Sequence, residues 1–109
     1  MKTYFIDNVK YHSNGDISSI RAFERAIEDT GVEIKLLGSW TRKELYDAIK
    51  RGYCVKSAAI DKNANGDYRA DVLCDAFVVE IEGDEYIKSY SSDNSREDNI
   101  ERIPELKHG

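Results

Sequence analysis

The chain has 109 residues and a formal net charge of −5. A chain of this length forms one domain, here spanning 1–109, and buries roughly 60–70% of its unfolded surface, enough for a core without metal or disulfide support. Hydrophobic residues at 40% and aromatics at 10% exclude a disordered chain, and one proline with seven glycines excludes a collagenous or linker-dominated one. An isoelectric point near 5.0 disfavours direct contact with nucleic acid. No apolar run approaches a membrane span, and no basic-then-apolar segment opens the chain. Cys54 and Cys74, twenty positions apart, read as reduced thiols rather than a disulfide framework, so the expectation is a cytoplasmic protein without a membrane partner.

Tyr4–Tyr11 is rich in aromatic and β-branched residues and predicts a strand, closed by a turn at Ser13-Asn-Gly-Asp16. Ile17–Ala22 reads as a short return strand. Ile20, Phe23 and Ile27 then follow helical spacing and predict a helix over about 21–30, ended by Gly31. Val32–Leu36 alternates as a strand. Thr41 three residues before Glu44 makes a capping box. Trp40 before the cap and Leu45 at the fourth helical position make a hydrophobic staple, so a helix starts at Arg42 and stops at Gly52. Tyr53–Ile60 predicts a strand. Tyr68–Ile81 predicts a long one, bulged where apolar parity changes near Cys74–Ala76. A three-residue connection, Gly83-Asp-Glu85, would set Glu80 opposite Lys88 and Val78 opposite Tyr90. The polar tail that follows returns Ile100 and Ile103 to the core and leaves Asp93–Asp98 in water. The fold class expected is α+β, a mainly antiparallel sheet packed with one or two helices.

Chemistry is sparse. Asp61-Lys-Asn-Ala-Asn-Gly66 resembles the first half of a calcium loop, but Val72 occupies the twelfth position, where a glutamate is needed, and a hairpin turn explains the same residues better. His12 and His108 stand in no nucleophile motif, and with the two cysteines they match no zinc spacing. No cofactor, metal or catalytic set is expected, and the chain is read as a non-enzyme.

The charge is lopsided. Residues 1–78 hold twelve acidic and twelve basic side chains, while 79–109 hold nine acidic and four basic. A solvated surface is the ordinary meaning of such a bias. Mimicry of nucleic-acid phosphates is weakened by the interleaved Arg96, Arg102 and Lys107, which leaves an acidic protein interface as the functional reading. Seven tyrosines favour a protein contact, because tyrosine is enriched in interface cores. The candidate binding residues are therefore Tyr86, Tyr90, Asp93, Glu97, Asp98 and Glu101.

Trp40-Thr-Arg-Lys-Glu-Leu-Tyr-Asp-Ala-Ile-Lys-Arg-Gly52, Val78-Val-Glu-Ile-Glu-Gly-Asp-Glu-Tyr-Ile-Lys-Ser89 and Asp98-Asn-Ile-Glu-Arg-Ile-Pro104 together resemble a small bacterial domain family of unknown function. The resemblance covers about residues 4–20 and 40–104, and Arg21–Leu37 departs from it as an insertion. It implies a strand pair, a capped helix, a second strand pair and a docked tail, and it implies no activity. The functional expectation rests on the type of chain. A small acidic chain without catalytic motifs is a binding protein, by analogy a phage or mobile-element inhibitor of a host defence protein of the anti-CRISPR kind. The alternative is a small-ligand- or metal-binding module using the 61–71 loop.

Overall fold

The computed structural model describes residues 2–29, 31–90 and 94–100. Over these the chain runs β1 (Thr3–Tyr11), β2 (Ile17–Glu28), β3 (Gly31–Trp40), α1 (Arg42–Lys50), β4 (Cys54–Lys62), β5 (Tyr68–Asp75), β6 (Phe77–Ile81) and β7 (Asp84–Lys88). Strands β1 to β5 form one mixed sheet in the order β3-β2-β1-β4-β5, and β6 with β7 forms a separate pair. Neighbours in the large sheet are antiparallel except β1 and β4, which run parallel. A parallel pair needs a long crossover, and here β2, β3 and α1 supply it. The molecule is thus mostly β with one helix of nine residues among those described, which corrects the α+β expectation of a sheet packed with one or two helices.

The largest single change falls on residues 21–30. No helix forms there; β2 runs unbroken from Ile17 to Glu28, laddered to β1 on one side and β3 on the other. The three residues that suggested a helix do not share a face. Ile20 packs with Ile6, Ala22 and Leu45, whereas Phe23 packs with Phe5 and Ala58 on the opposite side, and Ile27 is 76% exposed. The middle of β2 is buried on both faces, and such a strand loses the polar–apolar alternation that marks a half-buried one.

Both long hairpin connections in the sheet use one device. The Gly15 amide donates to the His12 carbonyl at 3.0 Å and the His12 amide to the Asp16 carbonyl at 2.8 Å; Gly66, Asn63 and Asp67 repeat this at 3.0 and 2.8 Å. Gly15 and Gly66 sit at φ +94° and +87°, where an Asn-Gly pair supplies the left-handed residue of a bulged turn. At Gly15 a second constraint is added, since a Cβ there would lie 2.7 Å from the Glu97 Cβ.

The helix forms as its sequence predicts. The Glu44 amide donates to the Thr41 hydroxyl at 3.2 Å and the Thr41 amide donates to the Glu44 carboxylate at 2.9 Å, a complete capping box. At the other end the Gly52 amide donates to the Ile49 carbonyl and the Tyr53 amide to the Ala48 carbonyl, with Gly52 at φ +88°, which is a Schellman closure. Thr41→Ala removes one acceptor from an exposed helix start, and a urea melt is expected to show a loss of about 1 kcal/mol.

The Phe23 and Tyr68 rings meet edge to face with centroids 5.1 Å apart. They belong to β2 and β5, three strands apart in the sheet and about 14 Å if it were flat. The sheet therefore curls, with Phe5, Phe23, Ala58, Ile34, Ile60, Tyr68 and Ala70 on its concave side. The opposite side carries the larger cluster, in which Tyr4, Ile6, Ile17, Ile20 and Val55 pack with Leu45 and Ala48 of α1, Ile87 of β7 and Ile100 of the tail.

The expected long strand over 68–81 is broken at Ala76. Its amide closes on the Val55 carbonyl at 2.9 Å, after which Phe77 leaves the large sheet to pair with β7. The β6–β7 register also differs from expectation. The connection is the two-residue turn Glu82-Gly83, at φ +51° and +90°, so that Glu80 lies opposite Glu85 and Val78 opposite Ile87. A two-residue turn with both central φ positive matches the strand twist. The like-charged pair is tolerated because Glu85 turns to α1, accepting from the Tyr46 hydroxyl and, at 3.3 Å, from Lys50.

Candidate functional site

Of the residues that the sequence groups as an acidic interface, Tyr86, Tyr90, Glu97 and Asp98 fall among the described residues, and their settings differ. Asp93 and Glu101 lie outside the described residues, as do Ile103 and His108. Glu97 is exposed beside the Gly15 turn. Tyr86 is half-buried and hydrogen-bonded to Arg96, whose guanidinium also reaches Asp84 at 3.0 Å and Glu82 at 3.2 Å. Those contacts hold Arg96 more firmly protonated than usual, the Tyr86 hydrogen bond being the largest cause. Tyr90 is exposed and accepts from the Cys74 thiol at 3.7 Å. Of the seven tyrosines, Tyr11 and Tyr90 are the exposed ones.

Asp98 is the plain correction. It was expected in water, yet its side chain has no exposed surface. One oxygen accepts from the Ile17 amide at 2.8 Å and from Arg42 Nε at 2.7 Å; the other accepts from the Ile87 amide at 2.8 Å and from Arg42 Nη2 at 3.1 Å. A single carboxylate thereby ties together the start of β2, the first residue of α1 and β7. Arg42 is held more firmly protonated by this hydrogen bond, which outweighs its own partial burial, and its Nη2 also donates to the Glu85 carbonyl at 2.9 Å. The tail beside it pairs in parallel with β7, since the Asn99 amide donates to the Ile87 carbonyl and the Ser89 amide to the Asn99 carbonyl. Ile100 is buried, and its amide donates to the Tyr11 hydroxyl at 3.1 Å. The tail is a clasp, and Asp98 is its lock.

What the sequence reading missed is an apolar surface on the β2–β3 hairpin. Ile27 and Val32 stand opposite one another across the two strands, and Val32, Ile34 and Leu36 follow at two-residue spacing on the same concave side. Ile27, Val32 and Leu36 are exposed, as is Leu37 at the bulge where β3 carries one extra residue between its Gly38 and Leu36 pairings. Arg25 lies between Phe23 and Ile27 on that side, and Lys62 covers the Tyr68 ring at 5.3 Å, giving the patch a charged rim. The signal was present as Val32–Leu36 alternation, but the supposed helix over 21–30 hid its partner strand.

The 61–71 loop is occupied with its own turn. Asn63 Oδ1 accepts from the Asn65 and Asp67 amides at 2.9 and 3.0 Å, which takes up the oxygen at the third position of the calcium pattern. Among the described residues no three His, Cys, Asp or Glu side chains gather as a metal site, and no helix is long and apolar enough to cross a membrane. No family model, curated protein or solved structure matches the chain.

Proposed function

We propose that this is a non-enzymatic binding protein acting through protein–protein contact, with the β2–β3 hairpin as its contact surface. The observation that carries this reading is the run of exposed aliphatic side chains, Ile27, Val32 and Leu36, on one side of a hairpin with charged neighbours. An apolar centre with a polar rim is the anatomy of a protein interface, whereas single-stranded nucleic acid is gripped by exposed aromatic platforms. On this reading the buried Asp98 serves the fold, and the hairpin rather than the acidic tail makes the contact. The narrower reading, an inhibitor of a host defence protein of the anti-CRISPR kind, rests on size, acidity and the lack of a catalytic motif.

A photo-crosslinking residue at Ile27 tests both levels in cells. The expected result is a discrete covalent adduct with a foreign protein that is lost in Leu36→Glu and kept in Glu97→Lys, with purified partner bound at least tenfold more weakly by Ile27→Glu. Adducts only from a probe at Tyr90 or Glu97 would move the contact back to the tail. No adduct, together with a melting point raised by calcium or a metabolite, would hand the function to the ligand-binding alternative.

A further inference from the structure

We propose that an open pocket beside α1 binds a methylated ammonium group, such as a choline head or a trimethylated lysine side chain. The site is separate from the hairpin contact. It lies at the far end of β3 from Val32 and on the other side of the sheet. Tyr4, Trp40 and Tyr53 line it. Tyr4 is the middle ring, with the Trp40 centroid at 5.0 Å and the Tyr53 centroid at 5.8 Å, the ring planes crossing at 64° and 62°. Strand order explains the arrangement. Tyr4 belongs to β1, Trp40 ends β3 and Tyr53 precedes β4, and β3 and β4 lie on opposite sides of β1. Three rings set at steep angles do not suit one flat guest; their negative π faces suit a rounded cation.

Charge points the same way. Glu44 and Asp47 of α1 border the pocket, and one oxygen of each is committed, Glu44 to the helix cap and Asp47 to Lys43 at 2.9 Å. Lys43 is 82% exposed, so solvent weakens its hold on Asp47. Elsewhere the chain covers its own rings: Phe23, Tyr46, Tyr68 and Tyr86 each have a guanidinium or ammonium 4.9–5.9 Å from the centroid. Arg51 borders the pocket, yet among the described residues no arginine or lysine stands over Tyr4, Trp40 or Tyr53. Size then limits the guest. A volume of about 220 Å³ is below the roughly 300–1,000 Å³ of pockets that enclose larger ligands, so it admits a head group alone. Hydration selects among cations. A bare ammonium is compact and strongly hydrated, whereas N-methyl groups keep the charge, shed that hydration and touch the rings.

Trp40 is the chain's one tryptophan, so its fluorescence reads the site directly. Choline chloride, titrated against sodium chloride of equal ionic strength, is expected to change that emission saturably, with Kd on the order of 1 mM. The neutral tert-butyl analogue of choline has the same shape without the charge and should bind at least tenfold more weakly. Tyr53→Leu keeps apolar bulk but removes a π face, and should weaken choline about fivefold; Tyr53→Phe keeps the face and should stay within about twofold. Asp47→Asn should weaken choline roughly threefold. Circular dichroism melts check that each variant folds, and the neutral analogue tests the wild type whatever the variants do. A short peptide bearing trimethyl-lysine separates the two sources. Binding at least tenfold tighter than choline, with the unmodified peptide inert, assigns the site to a modified protein; a smaller gain assigns it to a small molecule. No saturable change with choline or the peptide up to about 50 mM, a neutral analogue as tight as choline, or a folded Tyr53→Leu with unchanged affinity would each overturn the site.

Discussion

Asp98→Ala is expected to cost about 3–5 kcal/mol, the range for removing one partner from a buried, hydrogen-bonded ion pair. Four donors lose their acceptor at once: the Ile17 and Ile87 amides and two nitrogens of Arg42. The amides are enclosed and cannot all turn to water, so each bears a desolvation penalty, while Arg42 is partly exposed and recovers some hydration. Asp98→Asn keeps the shape but replaces one acceptor with a donor that faces other donors, and should cost less, roughly 2–3 kcal/mol. Against a total stability of about 5–15 kcal/mol the alanine change is large, and at about 4–8 °C per kcal/mol the melting point should fall by more than about 10 °C. Glu97→Lys, one position away and exposed, should stay within about 0.5 kcal/mol. Comparable small losses for both would mean that the tail does not dock through Asp98.

Phe23→Ala and Ile27→Ala form the second pair, and they discriminate between helix and strand. On a helix these residues lie one turn apart on a common face and would contribute alike. In β2 they share the concave side, yet Phe23 is wholly enclosed between Phe5, Ala58 and Tyr68 while Ile27 reaches past the cover. Removing the Phe23 ring leaves a cavity that the ladders on either side keep from collapsing, and should cost about 3–5 kcal/mol. Ile27→Ala should change stability by about 0.5 kcal/mol or less, because its side chain is already in water. Chemical denaturation of the two variants measures the difference, and equal losses would contradict the strand.

The two sets of variants also divide the hairpin by role. Phe23 holds the curl of the sheet, so its loss should damage folding and binding together. Ile27 holds nothing, so any loss of binding in Ile27→Glu without a fall in melting point belongs to the contact itself.

Local grammar determined the parts that hold themselves together. The capping box at Thr41, the glycine closure at Gly52 and the two Asn-Gly turns are each set by residues within five positions of one another, and no distant contact was needed to predict them. Tertiary structure decided the rest. Ile20, Phe23 and Ile27 satisfy helical spacing, and only the presence of β1 and β3 on either side makes an extended strand the state that buries both Ile20 and Phe23. Asp98 sits in a run of charges that, read alone, belongs in water; its burial depends on Ile17, Arg42 and Ile87, which lie 81, 56 and 11 positions away. Composition gave the sign and size of the charge but not its placement, because the energy of a carboxylate depends on the donors that the fold brings to it. The aliphatic patch shows the converse: Val32 and Leu36 were legible as strand residues, and it took the outermost position of β3 to leave them uncovered.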